Sequence, residues 1–337
     1  MQNRLMKKRL MKKEGWAVAQ YTVLSTSPTF TKYSPQAAGI LEKKGCRLVM
    51  IPPNGLRERE DFKAVLAEAH VWVVGINKVY AEDLEAAPNL KLIIKHGTGV
   101  DSIDLKAAAA RGITVANAPG TNANSVADLA FGFMLSLARQ IVSADKRTRD
   151  GFWGTVMGKD VYGKTLGVLG LGQIGKGVIR RASGFDMNIL GYDLVHHSQF
   201  EKEYRVRAAT LEEIMSEADY ISVHLPLLES TKNIIDRSLL EKMRPTAFLI
   251  NTSRGGVVDE TALYDLLKEK RIAGAALDVF ATEPPRQSPF FELDNVIVAP
   301  HMGAYTEGAM GAVSEILAES IVRVLAGKEP LSVIKTN

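Results

Sequence analysis

The sequence predicts an α/β protein built on two doubly wound parallel sheets. Three observations carry that prediction. Short runs rich in Val and Ile recur between stretches of helical composition, the runs fall into two series parted by one long apolar stretch, and the second series opens on a glycine-rich turn. Strands buried on both faces read as unbroken apolar runs, and helical crossovers between them imply parallel pairing. At 337 residues, 46% of them hydrophobic and 24% charged, the chain is long enough for two cores and has the mix of a globular protein.

In the first series "YTVLS" (21–25), "RLVMI" (47–51), "VWVVG" (71–75), "LKLIIKH" (90–96) and "GITVAN" (112–117) read as strands. Helical stretches such as "SPQAAGILEKKG" and "DSIDLKAAAARG" lie between them, the latter closed by glycine. The stretch "SVADLAFGFMLSLARQIV" (125–142) reads as one long apolar helix, followed by an irregular segment with Gly151, Trp153, Gly154, Gly158 and Gly163. The second series is "TLGVLG", "MNILGYD", "DYISVHL", "TAFLINTS", "GAALDVF" and "NVIVAPH", and a last helix is expected over about 307–326.

The net charge of +4 is local. Residues 1–13 hold six basic and no acidic residues, which leaves 36 basic against 38 acidic residues in the rest. The fold itself is therefore not basic, and nucleic acid is not expected as a partner. The leader has no apolar core and reads as a disordered extension over residues 1–15 rather than a secretory signal. No apolar stretch reaches the roughly 18–20 uncharged residues of a membrane helix, so no membrane partner is expected. A single cysteine, Cys46, excludes an internal disulfide and fits a reducing, cytoplasmic compartment. No closely spaced ligand set points to a metal.

"VLGLGQIGKGV" (168–178) carries Gly170-x-Gly172-x-x-Gly175 between an apolar strand and an apolar helical stretch, with Gln173 and Ile174 at the helix start. The three glycines serve a tight turn, backbone access for a pyrophosphate and close helix–strand packing, while the helix amides face the phosphate charge. Eighteen residues after Gly175, Asp193 ends the next strand. A carboxylate there accepts bonds from the adenosine ribose and repels a 2′-phosphate, and no Arg follows it, so the expected cofactor is NAD. The nearby His196 and His197 read as solvated loop residues.

Ligands of a doubly wound sheet bind beyond the carboxyl ends of its strands. Those ends carry Arg254 after "AFLINTS", Glu283 after "GAALDVFAT" and His301 after "NVIVAP". A guanidinium can clamp a carboxylate and polarise a neighbouring carbonyl, an imidazole can pass a proton to a forming alkoxide, and a carboxylate can hold the imidazole's other nitrogen. Together they suit reduction of a 2-keto acid. "HGTGVD" after a first-series strand offers glycines whose loop can expose backbone N–H groups to a carboxylate.

The segments "GLGQIG", "NTSRGGVVDE", "LDVFATEPP", "APHMGA", "KHGTGVDSID" and "SVADLAFGFMLSLAR" resemble the signatures of the D-isomer-specific 2-hydroxyacid dehydrogenases, including short D-3-phosphoglycerate dehydrogenases, over nearly the whole chain after the leader. The resemblance implies that Arg254 binds substrate, that Glu283 is the acidic partner of His301, and that His301 is the general acid/base. It also implies that Asp278 lies by the nicotinamide carboxamide, Thr252 near the cofactor, and Thr98, Gly99 and Val100 at the substrate. It further implies a Rossmann domain (120–303) inserted into a flavodoxin-like substrate domain (16–119 and 304–337), and a homodimer formed through the nucleotide domain. The substrate stays open. Phosphoglycerate-oxidising relatives place an Arg in the loop after the third strand, where "GINKVYAEDL" offers Asn77 and Lys78. Two other readings of the scaffold also stay open: a nucleotide-sensing corepressor and a phosphite-type dehydrogenase. Formate chemistry is disfavoured by Glu283.

Overall fold

Apolar runs that alternate between two cores make the strands of both sheets. The computed structural model describes residues 20–335, so the basic leader expected over 1–15 lies outside the described residues. The first sheet holds β1 (Tyr21–Ser25), β2 (Cys46–Met50), β3 (Val71–Val74), β4 (Leu92–Lys95) and β5 (Thr114–Ala116), in the order β2-β1-β3-β4-β5 with every pair parallel. This is the flavodoxin-like order. The second holds β6 (Thr165–Leu169), β7 (Asn188–Tyr192), β8 (Val206–Ala208), β9 (Tyr220–Val223), β10 (Phe248–Asn251), β11 (Gly274–Leu277) and β12 (Val296–Val298). Its order is β12-β11-β10-β9-β6-β7-β8, again all parallel, which is the Rossmann order with β12 added. The order reverses between β6 and β9, so the loops after these strands flank the switch point.

Side chains of a strand alternate between faces, and here both faces are covered. Leu249 of β10 enters one core with Ile221, Leu263 and Leu267, while Phe248 and Ile250 enter the other with Phe131, Met134 and Val178. The chain divides into two units, one of the residues up to Asn122 with those from Thr306 onward, the other Ala123–Tyr305. The helix Glu307–Leu325 belongs to the first unit and packs Val313, Leu317 and Ile321 on Val23, Val73 and Ile94 of the first sheet.

Two sequence expectations need correction. The helix expected over 125–142 spans Ala123–Arg139 instead. Gln140 takes a left-handed φ of +53°, and a second helix, Ile141–Arg149, leaves at a bend of 59°. β8, an exposed three-residue edge strand, was not expected at all. No single helix among the described residues is long and apolar enough to cross a membrane; these two pass only when joined, and ten residues of the first are buried in the core.

Candidate active site

The glycine loop follows β6 as expected and opens the helix Gln173–Ser183. Gly170 has φ +98°, and a Cβ there would stand 2.8 Å from the His224 carbonyl oxygen, so only glycine makes this turn. A Cβ at Gly175 would meet Gly170 O at 2.0 Å, which fixes the close helix–strand approach, whereas at Gly172 it would meet nothing within 4 Å. The middle glycine therefore leaves an open approach to the backbone, and Gln173 and Ile174 supply the first helical turn. Two buried polar atoms have no hydrogen-bond partner among the described residues one residue beyond paired strand ends, His224 Nδ1 after β9 and Thr252 Oγ1 after β10. Such atoms are costly unless a ligand satisfies them. A cradle without side chains and two unsatisfied groups on the same edge of the sheet fit a dinucleotide. His224 was not singled out from the sequence, although a polar residue ending "DYISVHL" at the switch point is the available signal.

Asp193 lies where the ribose acid was expected, just past β7, but its carboxylate is also structural. Oδ2 accepts the Leu171 N–H of the glycine loop at 2.6 Å, and Oδ1 accepts that of Val195 at 2.9 Å. It borders a cavity of about 460 Å³ lined also by Leu171, Val195, His196, Glu201 and Glu212, with no Lys or Arg in the lining. That volume is within the range of small-molecule sites, and the acidic lining opposes a 2′-phosphate.

Arg254, Glu283 and His301 follow β10, β11 and β12, three neighbours in the sheet. His301 Nδ1 lies 2.7 Å from Glu283 Oε2, and Glu283 Oε1 accepts the Phe280 N–H at 3.1 Å. Burial pushes the Glu283 carboxyl up, but the His301 bond and charge, the Phe280 N–H and the Arg254 charge together hold it below its ordinary value. It is therefore ionised at neutral pH and acceptor-only toward the imidazole. The turn carrying Arg254 is held by Asn251, whose Nδ2 donates to Arg254 O at 3.0 Å and whose Oδ1 accepts from Ser253. Gly255 presses this turn on the next one: a Cβ would stand 2.0 Å from Phe280 C and 2.1 Å from Ala281 N. Glu260 accepts the Ala281 N–H at 2.6 Å and so suspends the segment that ends in Glu283. Asp278 is 2% exposed, and its two carboxylate oxygens accept the N–H groups of Met302 and Gly303. Asn251, Gly255 and Glu260 were not singled out from the sequence; within "NTSRGGVVDE" only their neighbour Arg254 has an obvious chemical reason.

In the other unit, Thr98, Gly99 and Val100 follow β4. Thr98 Oγ1 donates to Asn122 Oδ1 at 3.2 Å, Asn117 Nδ2 donates to Thr98 O at 2.6 Å, and the three N–H groups have no acceptor among the described residues. The loop is anchored by Lys95, whose ammonium donates to Gly75 O at 2.5 Å and Ser102 Oγ at 3.0 Å, and by His96, which lies 3.1 Å from Ser27 Oγ through Nδ1 and 3.1 Å from Ser314 Oγ through Nε2.

Burial pushes the His96 imidazole down from 6.5 to about 4, with Lys95 adding to the shift, and burial alone takes His224 down to about 3. Both folded-state values are depressed, so stability is complete above the unfolded value near 6.5 and is lost as pH falls toward 4, where only the unfolded chain binds these protons. For His96 the loss is on the order of 3 kcal/mol. Calorimetry should show Tm falling over that window, with a shallower fall in His96→Gln; a Tm independent of pH there would contradict it.

The chain matches the family model described as "D-isomer specific 2-hydroxyacid dehydrogenase, NAD binding domain" over residues 131–303. It is 43% identical over 261 residues to the glyoxylate reductase of Korarchaeum cryptofilum, covering 75% of this chain and 79% of that protein. It is 43% identical over 274 residues to the D-3-phosphoglycerate dehydrogenase of Methanocaldococcus jannaschii, covering 80% of this chain but 52% of the relative, so it spans about half the length of that protein. Among solved structures, the D-lactate dehydrogenase of Aquifex aeolicus, complexed with NAD and lactic acid, matches with a TM-score of 0.81 at 26% identity over 94% of this chain and 99% of that one.

Proposed function

The chain belongs to the D-isomer-specific 2-hydroxyacid dehydrogenase family and is an NAD-dependent enzyme of it, and from that premise we propose that it interconverts a short 2-keto acid and its 2-hydroxy acid, of D configuration where C2 is a stereocentre, with glyoxylate the first substrate to test. The observation that carries this reading is the 2.7 Å pair of His301 Nδ1 and Glu283 Oε2 beyond two strands of the sheet that bears the glycine loop. Glu283, ionised, holds Nδ1–H and leaves Nε2 as the atom that exchanges the proton with the substrate oxygen. Arg254 binds the substrate carboxylate with its forked donors. Thr98, Gly99 and Val100, whose N–H groups have no acceptor among the described residues, are the substrate-binding residues proposed in the first unit. Gly170, Gly172, Gln173, Ile174, Gly175, Asp193, Thr252 and Asp278 make up the cofactor side; NAD bound there supplies or accepts the hydride.

A phosphorylated substrate such as 3-phosphoglycerate is the second candidate. The loop after β3 has Lys78 as its one cation, and the Lys95 ammonium is already bonded to Gly75 and Ser102, which favours short, uncharged tails. The test is a panel of glyoxylate, hydroxypyruvate, pyruvate and phosphohydroxypyruvate with NADH and NADPH in parallel. Turnover with NADH and short acids is expected; tight NADH binding without turnover of any acid would instead fit a corepressor.

A homodimer is part of the proposal. The segment from the second helix onward exposes Ile141, Val142, Trp153, Met157 and Tyr162, with Trp153 92% and Met157 80% exposed, and Ile141–Arg149 buries none of its residues. Large apolar side chains left in water at this density mark an interface, and a second copy of the nucleotide unit is the occupant proposed. Trp153→Glu is expected to weaken self-association by about 30-fold or more, as loss of a central aromatic does, measured by sedimentation equilibrium; a monomeric wild-type protein would contradict it. A cytoplasmic location is also proposed, consistent with one half-buried thiol, Cys46, which burial pushes up to about 11.

A further inference from the structure

We propose that Asn117 is a positioning residue for substrate binding: it pins the Thr98 carbonyl, and so aims the Gly99 N–H at the substrate's carboxylate, while the C-terminal segment holds Asn117 in place through Ser332. The inference rests on the reading of Thr98, Gly99 and Val100 as the substrate loop.

The loop leaves β4 through a tight turn. Gly97 N donates to Lys95 O at 2.8 Å, and Gly97 takes φ +149°, a conformation that favours glycine. The next two carbonyls both face the segment just past β5. Gly97 O accepts the Ala118 N–H at 3.1 Å, and Thr98 O accepts from Asn117 Nδ2 at 2.6 Å. In a trans peptide the C=O and the following N–H point in opposite directions. The Thr98 and Gly99 N–H groups are therefore turned away from Asn117 and Ala118, and neither has an acceptor among the described residues. Successive amides held to one side of a loop suit an anion.

One of the two pins is backbone and outlasts any substitution; the other is the Asn117 side chain, which is buried. A carbonyl only accepts, so the amide atom that meets Thr98 O is the NH₂, and Oδ1 is left for the Ser332 hydroxyl, which donates to it at 2.9 Å. Ser332 arrives on the segment after the last helix, which runs along the edge of β5. There Ile334 N donates to Val115 O at 2.9 Å, and Val333 pairs antiparallel with Ala116. The base of the loop is held separately. Ser314 Oγ donates to Met310 O at 2.7 Å, so it accepts from His96 Nε2, and His96 Nδ1 accepts from Ser27. Loss of the Asn117 side chain should thus free one peptide and leave the loop in place.

A carboxylate held by a loop amide is held alike before and during hydride transfer, so loosening that amide raises KM and spares kcat. Asn117→Ala is expected to raise the KM for glyoxylate about 10–10²-fold, the range for a hydrogen bond to a charged group. Its kcat should stay within about threefold and its Kd for NADH, followed by fluorescence, within about twofold. The Ki of oxamate, an unreactive carboxylate shaped like pyruvate, should rise in step with KM. Ser332→Ala keeps the Asn117 side chain but frees its amide, and should raise KM and Ki about two- to tenfold, as loss of a neutral hydrogen bond does. The double variant should bind oxamate no more weakly than Asn117→Ala alone, because Ser332 acts through Asn117.

A lowered kcat with unchanged KM, a parallel loss of NADH affinity, or full additivity in the double variant would overturn the proposal and mark Asn117 as merely structural. If Asn117→Ala does not fold, Ser332→Ala decides, and a wild-type Ki for oxamate would overturn the proposal. A wild-type chain that turns over no keto acid would sink the functional reading, and this one with it. An active wild type whose oxamate Ki is unmoved by either substitution would sink the positioning role alone.

Discussion

His301→Ala is expected to lower kcat for keto-acid reduction by about 10²–10⁴-fold, the range for losing a positioned general acid, while NADH affinity stays within about twofold. The separation follows from the geometry. The imidazole is bonded through Nδ1 to Glu283 after β11, whereas the glycine loop and Asp193 follow β6 and β7 on the other side of β9. Removing the ring touches none of the groups that cradle the dinucleotide. Glu283→Gln should give a smaller loss of the same kind, since an amide can still meet Nδ1 but no longer offsets the charge that forms on the ring. Steady-state kinetics and NADH fluorescence titration check both. A His301→Ala enzyme with wild-type kcat, or one that has lost NADH, would contradict the role proposed.

Gly255→Ala is expected to damage two catalytic groups at once. The added Cβ would lie 2.0 Å from Phe280 C and 2.1 Å from Ala281 N, backbone against backbone, with no flexible side chain to yield. Either the turn Gly255–Val257, which begins beside Arg254, or the segment from Phe280 to Glu283 must move. The first is tied to Asn251 and the second to Glu260, so neither moves freely. Overpacking of this kind costs typically about 1–3 kcal/mol, and a displaced Arg254 or Glu283 should lower kcat by about 10²-fold. Gly256→Ala is the control: its Cβ would meet only the Leu227 side-chain tip at 3.3 Å. Thermal melts and glyoxylate turnover of the two variants should differ accordingly; equal behaviour would contradict the account of the packed turns.

How far the sequence could be read follows from what each residue does. The strands of both sheets were legible because residues such as Leu249 and Ile250 enter opposite cores, leaving runs without a polar face. β8 was not, because Val206–Ala208 is an exposed edge with no such run. The break at Gln140 was hidden because a left-handed φ on glutamine leaves no sequence mark. The glycine loop and the trio were legible because a reactive side chain soon after a buried parallel strand falls on the edge of the sheet where ligands bind. Gly255, Glu260 and the Met302 and Gly303 amides bonded to Asp278 act through backbone contacts between segments remote in sequence, and residue types alone do not carry those contacts. Asp193 was legible as an acid at a strand end, but its bond to the Leu171 amide emerges only once β6 and β7 are paired.

The most direct test of the central claim follows one atom. NADH deuterated at the transferred C4 position is mixed with the protein and pyruvate or hydroxypyruvate, whose reduction makes C2 a stereocentre, and the product is examined by mass spectrometry and chiral chromatography. One deuterium is expected on C2 of a D-configured hydroxy acid, formed by the wild type and suppressed in His301→Ala. Bound NADH that keeps its deuterium in the presence of every keto acid, or a product of L configuration, would contradict it.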